Sequence, residues 1–131
     1  MTFIVDTNVL SELGRRRPEA RVLQWLADTG RVAVSVVTVD ELYFGLALKP
    51  NAHVQLEIEA YLDAYVSVHD VTPVIAKHAG LMRGELGQRG HVRSQSDMLI
   101  AATAAAHGHT LATRNVRDFA GCGIALHNPF K

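Results

Sequence analysis

Residues 3–13 read FIVDTNVLSEL. The apolar run Phe3-Ile4-Val5 is short and partly β-branched, which suits a buried strand. It stops at a carboxylate, Asp6, and a helical pattern follows Thr7 and Asn8. A strand feeding directly into a helix is how an α/β fold begins. The acid at the junction has two readings. Asp is among the best helix caps, because its oxygen accepts the free N–H groups of the first turn. An acid at the carboxyl end of a buried strand is also a candidate metal ligand.

Working outward, the alternation continues. Strands are expected at 2–5, 31–37 (RVAVSVV), 66–71 (VSVHDV), 110–113 (TLAT) and 123–127 (GIALH). Helices are expected at 7–13, 18–28, 38–48, 52–65, 73–88 and 96–107. Pro18 suits the first turn of the second helix. Thr38 reads as the start of the third, which Lys49-Pro50 ends. Strands separated by helices pair in parallel. The expected fold is a three-layer α/β/α sandwich around a parallel sheet of about five strands, in one domain of 131 residues. In such folds ligands gather outside the carboxyl ends of the strands.

Thirteen acids balance thirteen bases, unlike a freestanding nucleic-acid binder. Basic residues do cluster: Arg15-Arg16-Arg17, then Arg89, His91 and Arg93, then Arg114 and Arg117. Solvated surface explains any one cluster. The single cysteine, Cys122, rules out an internal disulfide and a cysteine metal cluster. No apolar run approaches the roughly 20 residues of a membrane span, and no basic stretch precedes the first apolar segment. A cytoplasmic protein with no membrane partner is expected.

Four acids stand where strands end or helices begin. Asp6 and Asp118 lie just beyond strands; Asp6, Glu41 and Asp97 each read as opening a helix. Each alone has a cheap local explanation. Thr38-Val39-Asp40-Glu41 matches a capping box. Asp97 complements a helix dipole. Asp118 can cap the turn in TRNVRDF. Together they are harder to dismiss, because strand tips and helix N-termini meet along one edge of a parallel sheet. Crowded carboxylates raise each other's pKa, and a hard cation removes the conflict. Oxygen ligands with no cysteine and no His pair select Mg²⁺ or Mn²⁺ over Zn²⁺.

Neighbouring residues suit a cleft. Gly45 follows Glu41 by one turn and leaves room beside it. AATAAA at 101–106 lets the Asp97 helix approach the sheet. Thr7, Asn8, Thr113 and Asn115 can orient carboxylates or water, or cap turns. His107 and His109 flank Gly108 and read as a helix end rather than a ligand pair. Trp25 reads as core rather than a base-stacking platform. Tyr43 and Phe44 are expected in the core, with a partner-binding face as the alternative. The chain has no phosphate-binding P-loop, GxGxxG, GxSxG, HExxH or CxxC motif.

IVDTNVLSEL, SVVTVDELYFGLAL, SDMLIAATAAAHGHTLATRNVRDF and the closing NPF resemble the PIN-domain family, and within it the VapC/FitB-type toxins of bacterial toxin–antitoxin pairs. The resemblance spans nearly the whole chain in order. It implies a parallel sheet flanked by helices and Mg²⁺- or Mn²⁺-dependent endoribonuclease activity, commonly on structured RNA such as tRNA or rRNA. It implies a homodimer inhibited by a VapB-type, DNA-binding antitoxin. The family's first three acids fall on Asp6, Glu41 and Asp97. The fourth falls on Asn115 in some relatives' alignment and three residues later, on Asp118, in others. RSQS at 93–96 departs from the small or acidic residues usual before the third acid.

On that reading Asp6 and Asp97 hold the metal and Glu41 completes the site directly or through water. Asn115 or Asp118 positions the attacking water, and Arg93, Arg114 and Arg117 grip flanking phosphates. Two rivals remain: a catalytically idle PIN-like module that binds RNA or protein, and a metal-dependent hydrolase of small phosphate esters. No phosphate-recognition loop supports the latter.

Overall fold

The computed structural model describes residues 2–131. Five parallel strands form one sheet, in the order β3-β2-β1-β4-β5. They are β1 (Phe3–Val5), β2 (Val32–Ser35), β3 (Val66–His69), β4 (Thr110–Ala112) and β5 (Leu126–His127). The helices are α1 (Thr7–Leu10), α2 (Ala20–Thr29), α3 (Val36–Leu48), α4 (Ala52–Tyr65), α5 (Pro73–Gln88) and α6 (Gln95–His107). Short 3₁₀ turns cover Ser11–Gly14 and Val116–Phe119. The expected α/β/α sandwich and its five strands are observed.

The period-two alternation of β1 divides the core. Ile4 faces one side, against Ile75, Ala79, Met82 and Leu86 of α5 and the buried face of α6. Val5 faces the other, against Val9, Leu10, Val22, Leu26, Leu42 and Ile58 from α1 to α4. Phe3 joins that second side, with Trp25 edge-on to its ring at 5.0 Å between centroids. Trp25 is therefore core, as read.

Several boundaries differ from the sequence reading: β3 stops at His69, β5 starts only at Leu126, and three others have a visible cause. Pro18 precedes α2, which starts at Ala20 after an N-cap at Glu19; the Glu19 N–H donates to the buried Glu12 carboxylate at 2.8 Å and fixes the entry. The first helix tightens into a 3₁₀ turn at Ser11. The strand expected at 31–37 ends at Ser35, whose hydroxyl accepts the Val37 N–H at 3.1 Å and caps α3.

Helix α6 is sunk into the fold. Met98, Ile100, Ala101, Ala102 and Ala104 are all fully buried. Its alanines allow the backbone to sit close to the sheet. Thr103 satisfies its buried hydroxyl by donating to the Leu99 carbonyl at 2.7 Å. Gly108, at φ 65°, ends the helix in the left-handed conformation, which a side chain disfavours. The His109 N–H returns to the Ala104 carbonyl at 3.0 Å and closes the cap.

Candidate active site

Asp6 caps a helix and ties two strand ends together. Its Oδ1 accepts the Thr7 N–H at 2.8 Å and caps α1. Its Oδ2 accepts the Thr113 hydroxyl at 2.8 Å and the Asn8 amide at 3.2 Å. Thr113 follows β4, the strand beside β1, so the junctions of two neighbouring strands are tied through one carboxylate. Thr113 Oγ1 also accepts the Asn115 N–H at 3.0 Å, and Asn8 Oδ1 accepts the Arg114 N–H at 3.2 Å. Thr7, Asn8 and Thr113 thus orient carboxylate and loop. Asn115 enters that web through its backbone.

Glu41 is not the capping-box residue the sequence suggested. Because Ser35 caps α3, Thr38 lies inside the helix, fully buried. Glu41 stands a turn beyond the N-terminus and owes nothing to the cap. Its Oε1 instead accepts the Thr7 hydroxyl at 2.6 Å, across 34 residues of sequence. Thr38 Oγ1 lies 3.2 Å from the same hydroxyl. Glu41 is thereby pinned beside α1 at the β1 edge.

Asp97 sits in the first turn of α6, where Ser94 Oγ accepts its N–H at 3.0 Å. Its carboxyl is half-buried, and its pKa is pushed up to about 6, first by burial and then by Asp6, with smaller pushes from Asp118 and Glu41. The Asp6 pKa is also raised, mainly by burial, with Glu41 adding to it. Asp118 lies exposed in the 3₁₀ turn Val116–Phe119, and Asn115 precedes that turn, also exposed. The fold brings all four acids to one electrostatic neighbourhood.

Among the described residues, no three of these acids bring carboxylate oxygens within 4.8 Å of one another. The acids are thus not gathered into a closed chelate. That suits Mg²⁺, which keeps several waters and takes one or two carboxylates. A cation would relieve the repulsion that raises Asp97 and Asp6. The donor chemistry and the charge crowding, sharpest at Asp97 and Asp6, fit a hard divalent ion.

Two hollows flank the acids. One of about 510 Å³ is lined by Arg114, Asn115, Arg117, Asp118, Phe130 and Lys131. The Arg114 guanidinium lies over the Phe130 ring at 4.9 Å, which holds it at the rim. The other, of about 320 Å³, has Glu41 and Gly45 in its wall with Arg15 and Lys49. A Cβ on Gly45 would meet nothing within 4 Å, so the space beside Glu41 is real. Lys49 was legible in the sequence only as part of a helix stop. Arg93 lies apart from both hollows, beside Arg83, Gly84 and Val92; its backbone carbonyl accepts Arg83 Nε at 3.3 Å.

Two further expectations need correction. Tyr43 and Phe44 do not pack in the core: Phe44 is 66% exposed, because Leu42 and Leu46 take the buried side of α3. His107 does end α6, but it and His109 stand against His69, so the chain does hold a histidine cluster. The sequence separates His69 from them by nearly forty residues, and no spacing signals their meeting.

The PIN domain family model matches residues 3–121. The chain belongs to the PIN domain family. VapC ribonuclease Y4jK of Sinorhizobium fredii is 33% identical over 144 residues, covering 98% of each chain. Toxin FitB of Neisseria gonorrhoeae is 34% identical over 138 residues, again covering 98% of each. Among solved structures, VapBC2 from Rickettsia felis bound to a promoter DNA fragment superposes with a TM-score of 0.82 at 26% identity, covering 98% of each chain. The PIN-domain resemblance of the sequence motifs is thereby established, and with it the helix-flanked parallel sheet that it implied.

Proposed function

We propose that this PIN domain is a Mg²⁺- or Mn²⁺-dependent endoribonuclease that hydrolyses phosphodiesters in structured RNA such as tRNA or rRNA. It acts as the toxin of a toxin–antitoxin pair. The observation that carries the reading is that Asp6, Glu41 and Asp118, from three separated segments, all push up the pKa of Asp97, which burial first and these acids second raise to about 6. The ribonuclease and toxin names of its full-length relatives support RNA cleavage over the small-ester and idle-module alternatives. The VapBC2 assembly bound to promoter DNA supports a DNA-binding, VapB-type antitoxin as partner.

When bound, the ion supplies Lewis-acid activation of water and neutralises charge on the phosphoryl oxygens. The chain's own residues do the rest. Asp6 and Asp97 would hold the ion. The Thr7 hydroxyl fixes Glu41 at the mouth of the cleft, where it orders water. Asn115 or Asp118 at the rim would position the attacking water. Arg114, Arg117 and Lys131 on one flank and Arg15 and Lys49 on the other bracket the acids. They would seat the phosphates on either side of the scissile bond. Phosphate contacts of this kind make binding fall with salt.

The test is cleavage of labelled tRNA and rRNA fragments with Mg²⁺, with EDTA, and by Asp6→Asn. Cleavage that needs the ion and disappears in the folded variant is expected. Metal-independent cleavage, or full activity in Asp6→Asn, would overturn the assignment. Binding without cleavage under every divalent ion would favour the idle module.

A further inference from the structure

The histidine cluster is not part of the acidic cleft. His69 closes β3, His107 closes α6 and His109 leads into β4. Period-two alternation places His69 with Ser67, which pairs with Ala33, and His109 with Leu111. Ala33 and Leu111 belong to the α5–α6 side of the core, so both imidazoles stand on the face that α6 covers. Along α6, ten residues separate Asp97 from His107, about 15 Å at the helical rise.

Here the three rings are close together. His69 Nε2 lies 3.1 Å from His109 Nε2. The His69 and His107 rings stack at 3.7 Å between centroids, with 10° between planes. One ring nitrogen from each of the three falls within 4.8 Å of the other two. Two imidazole nitrogens on one tetrahedral Zn²⁺, at about 2.0–2.1 Å each, stand about 3.3–3.4 Å apart. The His69–His109 pair is already near that spacing. His107 is exposed at a helix end, so its ring can turn about Cβ–Cγ and bring its lone pair to the same point.

We propose that His69, His107 and His109 form a second metal site, distinct from the acidic cleft, that binds a borderline transition ion of the Zn²⁺ class. Three imidazole nitrogen donors and no carboxylate in the set disfavour Mg²⁺ and Mn²⁺ and suit Zn²⁺, Co²⁺ or Ni²⁺. Water completes the coordination on the exposed side. The bound ion would tie the end of β3 to the turn between α6 and β4.

The experiment uses untagged full-length protein carrying Asp6→Asn and Asp97→Asn, so that the acids do not take up the probe. Equilibrium dialysis against Zn²⁺ should give one bound equivalent, and Co²⁺ should give the intense visible absorption of a tetrahedral nitrogen-ligated site. Adding His107→Gln, a change at an exposed position that leaves the fold intact, should weaken Zn²⁺ binding at least about tenfold, since even outer-shell changes cost that much. His109→Gln should do the same, and Mg²⁺ should not compete. Absence of stoichiometric Zn²⁺ binding would overturn the proposal. So would binding undiminished by both histidine changes. RNA cleavage enters neither readout, so the two proposals stand or fall separately.

Discussion

Asp97→Asn should inactivate the protein and stabilise it. In the metal-free protein the Asp97 carboxyl has its pKa raised from 3.8 to about 6, so the folded state holds its proton more tightly than the unfolded chain. Between those values the folded state binds more protons, and stability falls as pH rises. The full gap, at 1.36 kcal/mol per pKa unit, is about 3 kcal/mol. Asp97 is half-exposed, and solvent screening reduces this to about 1–1.5 kcal/mol. An Asn cannot ionise and keeps the size of the side chain. At pH 7.5 in EDTA the variant should therefore melt about 3–6 °C above the parent. At pH 5, part-way between the two values, about half of that gain should remain, and it should vanish only below the unfolded value of 3.8, where Asp97 is protonated in both states. Added Mg²⁺ should raise the parent's Tm and leave the variant's unchanged. Thermal melts followed by circular dichroism at the two pH values, with and without Mg²⁺, decide the matter. A variant that melts at or below the parent at pH 7.5 would refute the charge-crowding account, as would an equal gain at pH 5.

Three other outcomes follow from named contacts. Thr7→Val removes the hydroxyl that holds Glu41 at 2.6 Å; a hydrogen bond to a charged group contributes about 1.5–3 kcal/mol, so kcat for RNA cleavage should drop roughly 10–100-fold with KM little changed. Arg114→Ala and Arg117→Ala should each lower the slope of log affinity against log salt by about 0.7–0.9 in RNA-binding titrations, whereas Arg93→Ala, away from both hollows, should not. Ala101→Leu at a fully buried position of α6 should cost about 1–3 kcal/mol by overpacking. It should also cut cleavage by displacing Asp97, both read from melts and activity on one preparation.

The sheet was legible because β1 to β4 are apolar, short and bounded by helical patterns or turn residues. The helices 52–65 and 73–88 matched residue for residue, since each carries its own start signal, Asn51 and Thr72-Pro73. The start of α3 was not legible. The run VAVSVVTV is β-branched on both sides of the junction, and a lone serine does not announce which side is strand. That single misplacement made Glu41 look like a cap. The acids themselves were visible as residue types in suggestive places, but their mutual repulsion is a property of the folded edge. The histidine cluster was invisible for the same reason, with no local period to betray it. Phe44 and Tyr43 misled because α3 is apolar nearly all round, so the pattern alone could not say which side faces solvent.

The divided labour of Asp6 carries a genetic consequence. One of its oxygens caps α1 and the other holds Thr113 and Asn8, and asparagine keeps a carbonyl oxygen for the first task. Codons for the two residues differ by one base. If expression of the protein is lethal, cells that escape should include carriers of Asp6→Asn that still accumulate soluble, full-length protein. Glutamate at the same position would move its carboxylate away from the Thr7 N–H by a methylene, so escape through that change should come with loss of the protein itself.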